Sequence, residues 1–461
     1  MKFAIAVVLA VAVCHVSAAP STVSSSLLQK LRTEGVSDAI IVLKDEVSSV
    51  VERVNSRRFT NSAEKTTVLV NALRERTRVS QKAILSTLST RKAAVTAFWI
   101  TNRIFVPQLT LQELEVLSAE HGSEIAEIRE QIIATIDYES EGIDANPQVL
   151  EWGVDNINAP EVWTEGAEGE GIVVSHIDTG VRATHEALAG ALRETHNWLD
   201  PYSNAQTPDD DNGHGTHTMG TIVGRDGTGV APKATYISCR GCESAGCTEA
   251  ALLSCGQWTT CPTNSDGSDE DCSKKPVLSS NSWGGGNENT WYNDVIAAWQ
   301  AASIVPVFAI GNSGPGCRSA NSPGDQRNVI SVGATNAQNA VASFSSHGPT
   351  LLTARIKPEV SAPGNQVRSA WNTGDAVYNT ISGTSMATPH VAGTVALLLS
   401  KNSALTFAQI ETLLEENALR PRIENIICTG GGVNITNPWP NNSFGHGKID
   451  AKASFDAAPS A

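Results

Sequence analysis

The chain has 461 residues, which is long for one average domain and suits roughly two or three. Apolar residues make up 41% of it, enough for a large core. A net charge of −15 argues against nucleic acid or an anionic membrane surface as a partner.

Residues 1–18 read as a secretory leader. Lys2 supplies the positive start, Phe3 to Val13 the apolar stretch, and Val16-Ser17-Ala18 a small-residue cleavage site. No later run is long and apolar enough to span a bilayer, so the expected place is extracellular and no membrane partner is expected. From residue 19 to 143 the chain is rich in Glu, Lys, Arg, Ser and Val and contains no cysteine. The pattern predicts a strand at Ala39–Leu43 and a helix over Asn61–Leu88. Strands at Val95–Ile100 and Ile104–Val106 follow, then a helix at Leu109–Ser118 opened by Thr110 and Glu113. That order suits a small α/β sandwich.

The remainder, 144–461, alternates apolar strand-like runs with helical ones. Strands are predicted at Ile172–Ile177, Thr235–Cys239, Val277–Asn281, Val305–Ile310 and Val329–Val332. Helices are predicted near Thr248–Trp258, Thr290–Ala302 and Ser385–Leu399. The fold class expected is α/β, a parallel sheet with helices on both faces.

Of nine cysteines, Cys14 falls in the leader. Six others cluster between Cys239 and Cys272, and Cys317 and Cys428 stand apart. An even number in a secreted chain points to disulfides. Cys239-x-x-Cys242 has zinc-like spacing, but no histidine lies between His217 and His347 to complete such a site. Pairing is left open, because eight cysteines allow roughly a hundred connectivities. Asn434 and Asn441 head glycosylation sequons.

Four fragments carry chemistry. Asp178 ends an apolar strand, where open α/β sheets place their sites. His214 sits between glycines in Asn212-Gly213-His214-Gly215-Thr216-His217, at the start of a helix. Asn312 follows the strand Val305–Ile310 and can donate to an oxyanion. Ser385, in Gly383-Thr384-Ser385-Met386-Ala387-Thr388-Pro389-His390, opens a buried helix. Alone, Ser385 is a better helix cap than a nucleophile, and the histidine, aspartate and asparagine each have ordinary structural readings. Together they offer a serine, a base, a carboxylate to orient the base, and an oxyanion donor.

In these motifs the chain resembles the subtilisin-type serine proteases, the subtilases. Gly229-Val230-Ala231-Pro232, Asn281-Ser282-Trp283-Gly284-Gly285, Lys357-Pro358-Glu359-Val360 and Gly445-His446-Gly447 also match, so the likeness spans roughly residues 150–458. The Asn-Ser-Trp-Gly-Gly and Trp-Tyr segments suggest the bacillopeptidase F-like branch. The resemblance implies that Ser385 is the nucleophile and His214 the general base, that Asp178 orients His214, and that Asn312 binds the oxyanion. It implies that Ser282, Trp283 and Gly284 pair with extended substrate, and that Ala309, Ile310 and Gly311 form the opposite wall of the primary pocket. Neither wall carries a fixed charge, so broad cleavage of proteins and peptides, with large apolar or aromatic residues favoured before the cut, is expected. Residues 19–143 resemble the inhibitory propeptide of such enzymes, especially at Phe98-Trp99-Ile100-Thr101-Asn102-Arg103-Ile104. This implies a self-processed zymogen whose propeptide is its own inhibitor, cut between Tyr138 and Asn146 with the boundary within 138–147. A monomer is expected, with no required cofactor and no catalytic metal. Asp209-Asp210-Asp211 is read as a solvated acidic loop rather than a calcium site, because full ligand spacing is missing. Structural calcium, common in the family, is not legible.

Other hydrolase classes fit poorly. There is no second Asp-Thr-Gly for an aspartic protease, and His185-Glu186 lacks the second histidine of a zincin. His214 precedes the serine, unlike the order in α/β-hydrolases. Sedolisins share Ser-Gly-Thr-Ser but use a carboxylate as base. A degenerate, non-catalytic relative would have lost at least one of the four residues. His176 occupies a place on the Asp178 strand where an apolar residue is usual.

Overall fold

The structure is a computed structural model that describes residues 22–144, 150–423, 428–432 and 438–461. The proposed leader and Asn434 lie outside the described residues.

The N-terminal part is an antiparallel four-stranded sheet in the order Thr96–Phe98, Arg103–Thr110, Val36–Leu43, Ile125–Arg129. Helices Ser25–Glu34, Ser62–Leu88 and Leu111–His121 contribute Leu27, Leu31, Ile84, Leu88, Leu114 and Leu117 to its core. Thr110 and Glu113 form a capping box on the last of these, as the sequence predicts. Helices Ser25–Glu34 and Ser48–Asn55 and the strand Ile125–Arg129 are not anticipated by the sequence pattern. Ser25–Glu34 is capped by Ser24 and a left-handed Gly35 and packs Leu27 and Leu31 on the sheet, whereas Ser48–Asn55 buries Val50, Val51 and Val54 in the cluster shared with the second part.

The larger part is a seven-stranded parallel sheet. Its order is Val360–Pro363, Ile330–Thr335, Val305–Ala309, Leu278–Asn281, Val173–Asp178, Thr235–Arg240, Trp198–Leu199. Strands Leu278–Asn281, Val305–Ala309 and Ile330–Thr335 are buried along their whole length, which is why they read as continuous rather than alternating runs. The chain enters the sheet at Val173–Asp178 and is later built outward on both sides of it. The gap between Val173–Asp178 and Leu278–Asn281 is therefore the switch point where such sheets place their sites.

The helix Thr384–Lys401 is buried from Thr384 to Leu399, and Val391, Val395 and Leu398 pack into the main core. Four disulfides join Cys239–Cys255, Cys242–Cys247, Cys261–Cys272 and Cys317–Cys428. The disulfide reading of the cysteines therefore holds, and no group of three or more metal-ligating side chains occurs among the described residues.

The two parts share one core. Val50, Leu69, Leu73 and Phe98 from the first pack in a single cluster with Trp283, Trp291, Tyr292 and Trp299 of the second. One buried carboxylate, Glu249, pins the junction. It accepts from Arg129 Nη1 at 2.6 Å and Nη2 at 2.9 Å, from Arg103 Nη1 at 3.2 Å, and from Ile132 N at 2.9 Å. Both arginines belong to the N-terminal part, and Glu249 opens the helix Glu249–Thr260, whose positive end favours its charge.

Candidate active site

Asp178 ends its strand and is fully buried. Its Oδ1 accepts from Thr179 N at 2.8 Å and from His214 Nδ1 at 2.7 Å. Burial opposes the charge on Asp178. The adjacent His214, its hydrogen bond, His176 and the Thr179 N–H outweigh that and hold the carboxyl below its ordinary value.

His214 is the first residue of the helix His214–Val223. Gly213 before it has φ 105°, and a side chain there would meet the Trp371 ring at 2.6 Å. The turn is held by Asp210. Asp210 Oδ1 accepts from Gly213 N at 2.8 Å and Thr179 Oγ1 at 2.9 Å, while Oδ2 accepts from Thr216 N at 2.9 Å and Thr216 Oγ1 at 2.6 Å. Thr179 Oγ1 in turn accepts from Gly215 N at 2.9 Å. The acidic loop is therefore not simply solvated: Asp210 is buried and ties the aspartate's strand to the histidine's helix, and Asp211 pairs with Arg240.

His176 is a satisfied buried histidine. Its Nε2 lies 2.8 Å from Thr218 Oγ1 and its Nδ1 3.2 Å from Ser238 Oγ, and burial lowers its pKa. It also stands 3.7 Å from Asp178 Oδ2.

Asn312 is oriented by its neighbours. Its Oδ1 accepts from Thr384 N and Thr384 Oγ1, both at 2.9 Å, which leaves Nδ2 to point into the cleft. There it donates to the backbone oxygen of Asp137 at 2.6 Å. Ser385 sits at the first turn of the helix Thr384–Lys401. Its hydroxyl donates to Ser282 O at 3.1 Å rather than to His214, whose Nε2 has no hydrogen-bond partner among the described residues. Tyr138 covers His214, with ring centroids 5.4 Å apart.

The cleft is occupied by the chain itself. Ile133–Ala134 pairs antiparallel with Cys247–Thr248 on one side. On the other, Thr135 N donates to Gly284 O at 2.8 Å and Gly284 N to Thr135 O at 3.2 Å. After Tyr138, Glu139–Asp144 adds a third strand to the hairpin of Val367–Ala370 and Tyr378–Ser382, which leads into the Ser385 helix. Around the segment lie Ser282, Trp283, Gly284, Ala309, Gly311, Asn312, Asn321, Thr384 and Ser385, with only ≈ 20 Å³ left free, about the room of one water.

Of the residues expected to bind substrate, Ser282, Trp283, Gly284, Ala309 and Gly311 line this cleft. Ile310 does not: it follows the strand Val305–Ala309 and its side chain is fully buried. Trp283 serves twice, packing edge-on against Tyr292 and Phe308 while it lines the cleft. Thr384 and Asp210, which hold Asn312 and His214, were not singled out from the sequence as supporting residues. A threonine beside the serine and an acid before the Asn-Gly-His turn are the only traces they leave. Asn441 is buried, with Oδ1 bound by Ser443 N and Phe444 N, so its sequon offers no open amide in this fold.

Comparison with known proteins agrees with this geometry. The model of the Subtilase family matches residues 169–447. Bacillopeptidase F of Bacillus subtilis (strain 168) is 32% identical over 94% of this chain and 32% of its own length. Alkaline serine exoprotease A of Vibrio alginolyticus is 32% identical over 63% of this chain and 50% of its own. Subtilisin DY of Bacillus licheniformis is 34% identical over 59% of this chain and 92% of its own. The chain thus spans about a third of the first relative and half of the second.

Proposed function

The chain belongs to the subtilase family, and on that footing we propose that it is a secreted serine endopeptidase made as a self-processed zymogen. The observation that carries the reading is the hydrogen bond of 2.6 Å from Asn312 Nδ2 to the Asp137 carbonyl oxygen. A peptide carbonyl on an oxyanion donor, beside a serine and a buried Asp–His pair, is a substrate pose. The first substrate is then the chain's own Asp137–Tyr138 bond, one residue upstream of the range expected from sequence.

In the reaction Ser385 Oγ leaves Ser282 O, gives its proton to His214 Nε2 and attacks the Asp137 carbonyl carbon. The oxygen gains negative charge and is held by Asn312 Nδ2 and the Ser385 N–H at the positive helix end. His214, oriented by Asp178, returns the proton to the Tyr138 nitrogen, and the peptide bond breaks. A water, deprotonated by His214, then hydrolyses the Asp137–Ser385 ester. Residues before Tyr138 remain as a propeptide that fills the cleft as product. Foreign proteins follow once it leaves.

Specificity is broad, with large apolar or aromatic residues favoured before the cut, since the walls at Ser282–Gly284 and Ala309–Gly311 carry no charge. A polar residue is tolerated before the cut as well, since Asp137 stands there exposed, its carboxylate accepting from Thr135 Oγ1 at 3.1 Å. A serine-directed sulfonyl or phosphonyl fluoride should abolish hydrolysis and label Ser385. Full activity after stoichiometric treatment would contradict the proposal, and a peptide library cut only after Arg or Lys would contradict the specificity.

A further inference from the structure

The cleft has two walls of unequal support. Gly284 lies three residues beyond the central strand Leu278–Asn281, between Trp283, which packs on Tyr292 and Phe308, and Gly285, whose N–H donates to Ser322 O at 2.9 Å. The opposite wall, Cys247–Thr248, is two residues long and ends an excursion that starts where the strand Thr235–Arg240 stops. Its partner in the sheet is the resident segment itself: Cys247 stands opposite Ala134 and Thr248 opposite Ile133. Once that segment leaves, this wall has no strand beside it.

Within the excursion, Cys242 is bonded to Cys247, and Glu243 and Gly246 exchange backbone hydrogen bonds at 3.0 Å. At its far end Thr248 N donates to the Tyr202 hydroxyl at 3.1 Å, and the Thr248 side chain caps the next helix. Cys239–Cys255 ties the strand to that helix, outside the small loop. Cys242 itself is anchored to the sheet, its N–H donating to Asp178 O at 3.1 Å, and the Cys242–Cys247 bond carries that anchor across the small loop to the wall.

We propose that the Cys242–Cys247 disulfide is a specificity device: it keeps the wall Cys247–Thr248 ready to pair with the fourth and fifth residues before the cut. The inference rests on the peptidase reading above, which makes Asp137 the residue before the cut and Ala134 and Ile133 the fourth and fifth. Fixing the backbone of one loop residue corresponds to about a tenfold change in an equilibrium. A wall fixed in advance lets a long substrate bind without that cost, and a substrate too short to reach it gains nothing.

The test uses the full chain carrying Cys242→Ser and Cys247→Ser, matured as the wild type is. Two peptides share the same residues around the cut; one extends five residues upstream of it and the other only two. The ratio of kcat/KM for the long peptide to that for the short one should fall about tenfold in the variant, mainly through KM. An unchanged ratio, whatever the absolute rates, overturns the inference. Wild-type inactivity on both peptides overturns the peptidase reading and this inference with it, whereas an active wild type indifferent to length overturns this one alone. If the variant does not mature, the same substitutions are placed in the Ser385→Ala chain. Amide exchange at residues 132–135 should then accelerate at least about tenfold relative to Val36–Leu43, and equal protection in both chains contradicts the proposal.

Discussion

Ser282 and Ser385 each donate a side-chain hydroxyl to the other's backbone carbonyl, Ser282 Oγ to Ser385 O at 2.9 Å and Ser385 Oγ to Ser282 O at 3.1 Å. The first bond has a local cause. Pro389, four residues beyond Ser385, has no N–H to give that carbonyl, so the helix leaves it open and Ser282 fills the place. The second bond turns the Ser385 hydroxyl away from His214. Replacing Ser282 with Ala should destabilise the protein by about 1–3 kcal/mol, by leaving a buried carbonyl without a donor. Chemical denaturation of the Ser385→Ala background would measure it, and no loss would contradict the account.

Asn312→Ala removes the amide held by Thr384. In subtilisin, a member of the same family, loss of such a donor costs about 10²–10³ in turnover. The same loss is expected in kcat here, with KM little changed. Steady-state kinetics on a peptide ester or amide reads the split.

Acid should destabilise the fold through two buried histidines. Burial lowers the pKa of His217 to about 3 and that of His390 to about 4. Both stay neutral in the fold where the unfolded chain, with its ordinary value of about 6.5, takes up protons. The unfolded state therefore binds more protons, and stability falls as pH drops from about 6.5 toward about 3. His217 alone contributes a loss of about 4–5 kcal/mol by the bottom of that window. Denaturant midpoints of the Ser385→Ala chain at a series of pH values should trace it, and His217→Gln should flatten the profile.

Glu249 holds two arginines of the N-terminal part in a fully buried site. Glu249→Ala takes the buried carboxylate from Arg103 and leaves Arg129 with Glu127 at 3.5 Å, at a cost of about 2–5 kcal/mol to the association. After processing, the variant should release its N-terminal fragment at concentrations where the wild type keeps it. Size-exclusion chromatography of freshly cut protein distinguishes the two.

The parts of the site that depend on local sequence were legible. Asp178 ends an apolar strand, His214 stands between glycines at a helix start, and Ser385 opens an apolar helix; each motif specifies its own backbone. What depends on distant register was not. The carbonyl that meets Asn312 is Asp137's because Thr135 pairs with Gly284, a match about 150 residues apart that no local pattern encodes. The same holds for Cys317–Cys428, 111 residues apart, and for Glu249, whose partners come from the other part of the chain. Ile310 lies just past the strand Val305–Ala309 with its side chain fully buried, while Ala309 and Gly311 on either side of it line the cleft.

The most direct measurement is the N-terminal sequence and intact mass of the wild-type and Ser385→Ala chains after expression and incubation. The account predicts wild-type protein that begins at Tyr138, and a Ser385→Ala chain in which the Asp137–Tyr138 bond stays intact. A Ser385→Ala chain cut at that bond without added protease, or a wild type whose first cut lies elsewhere, would contradict it.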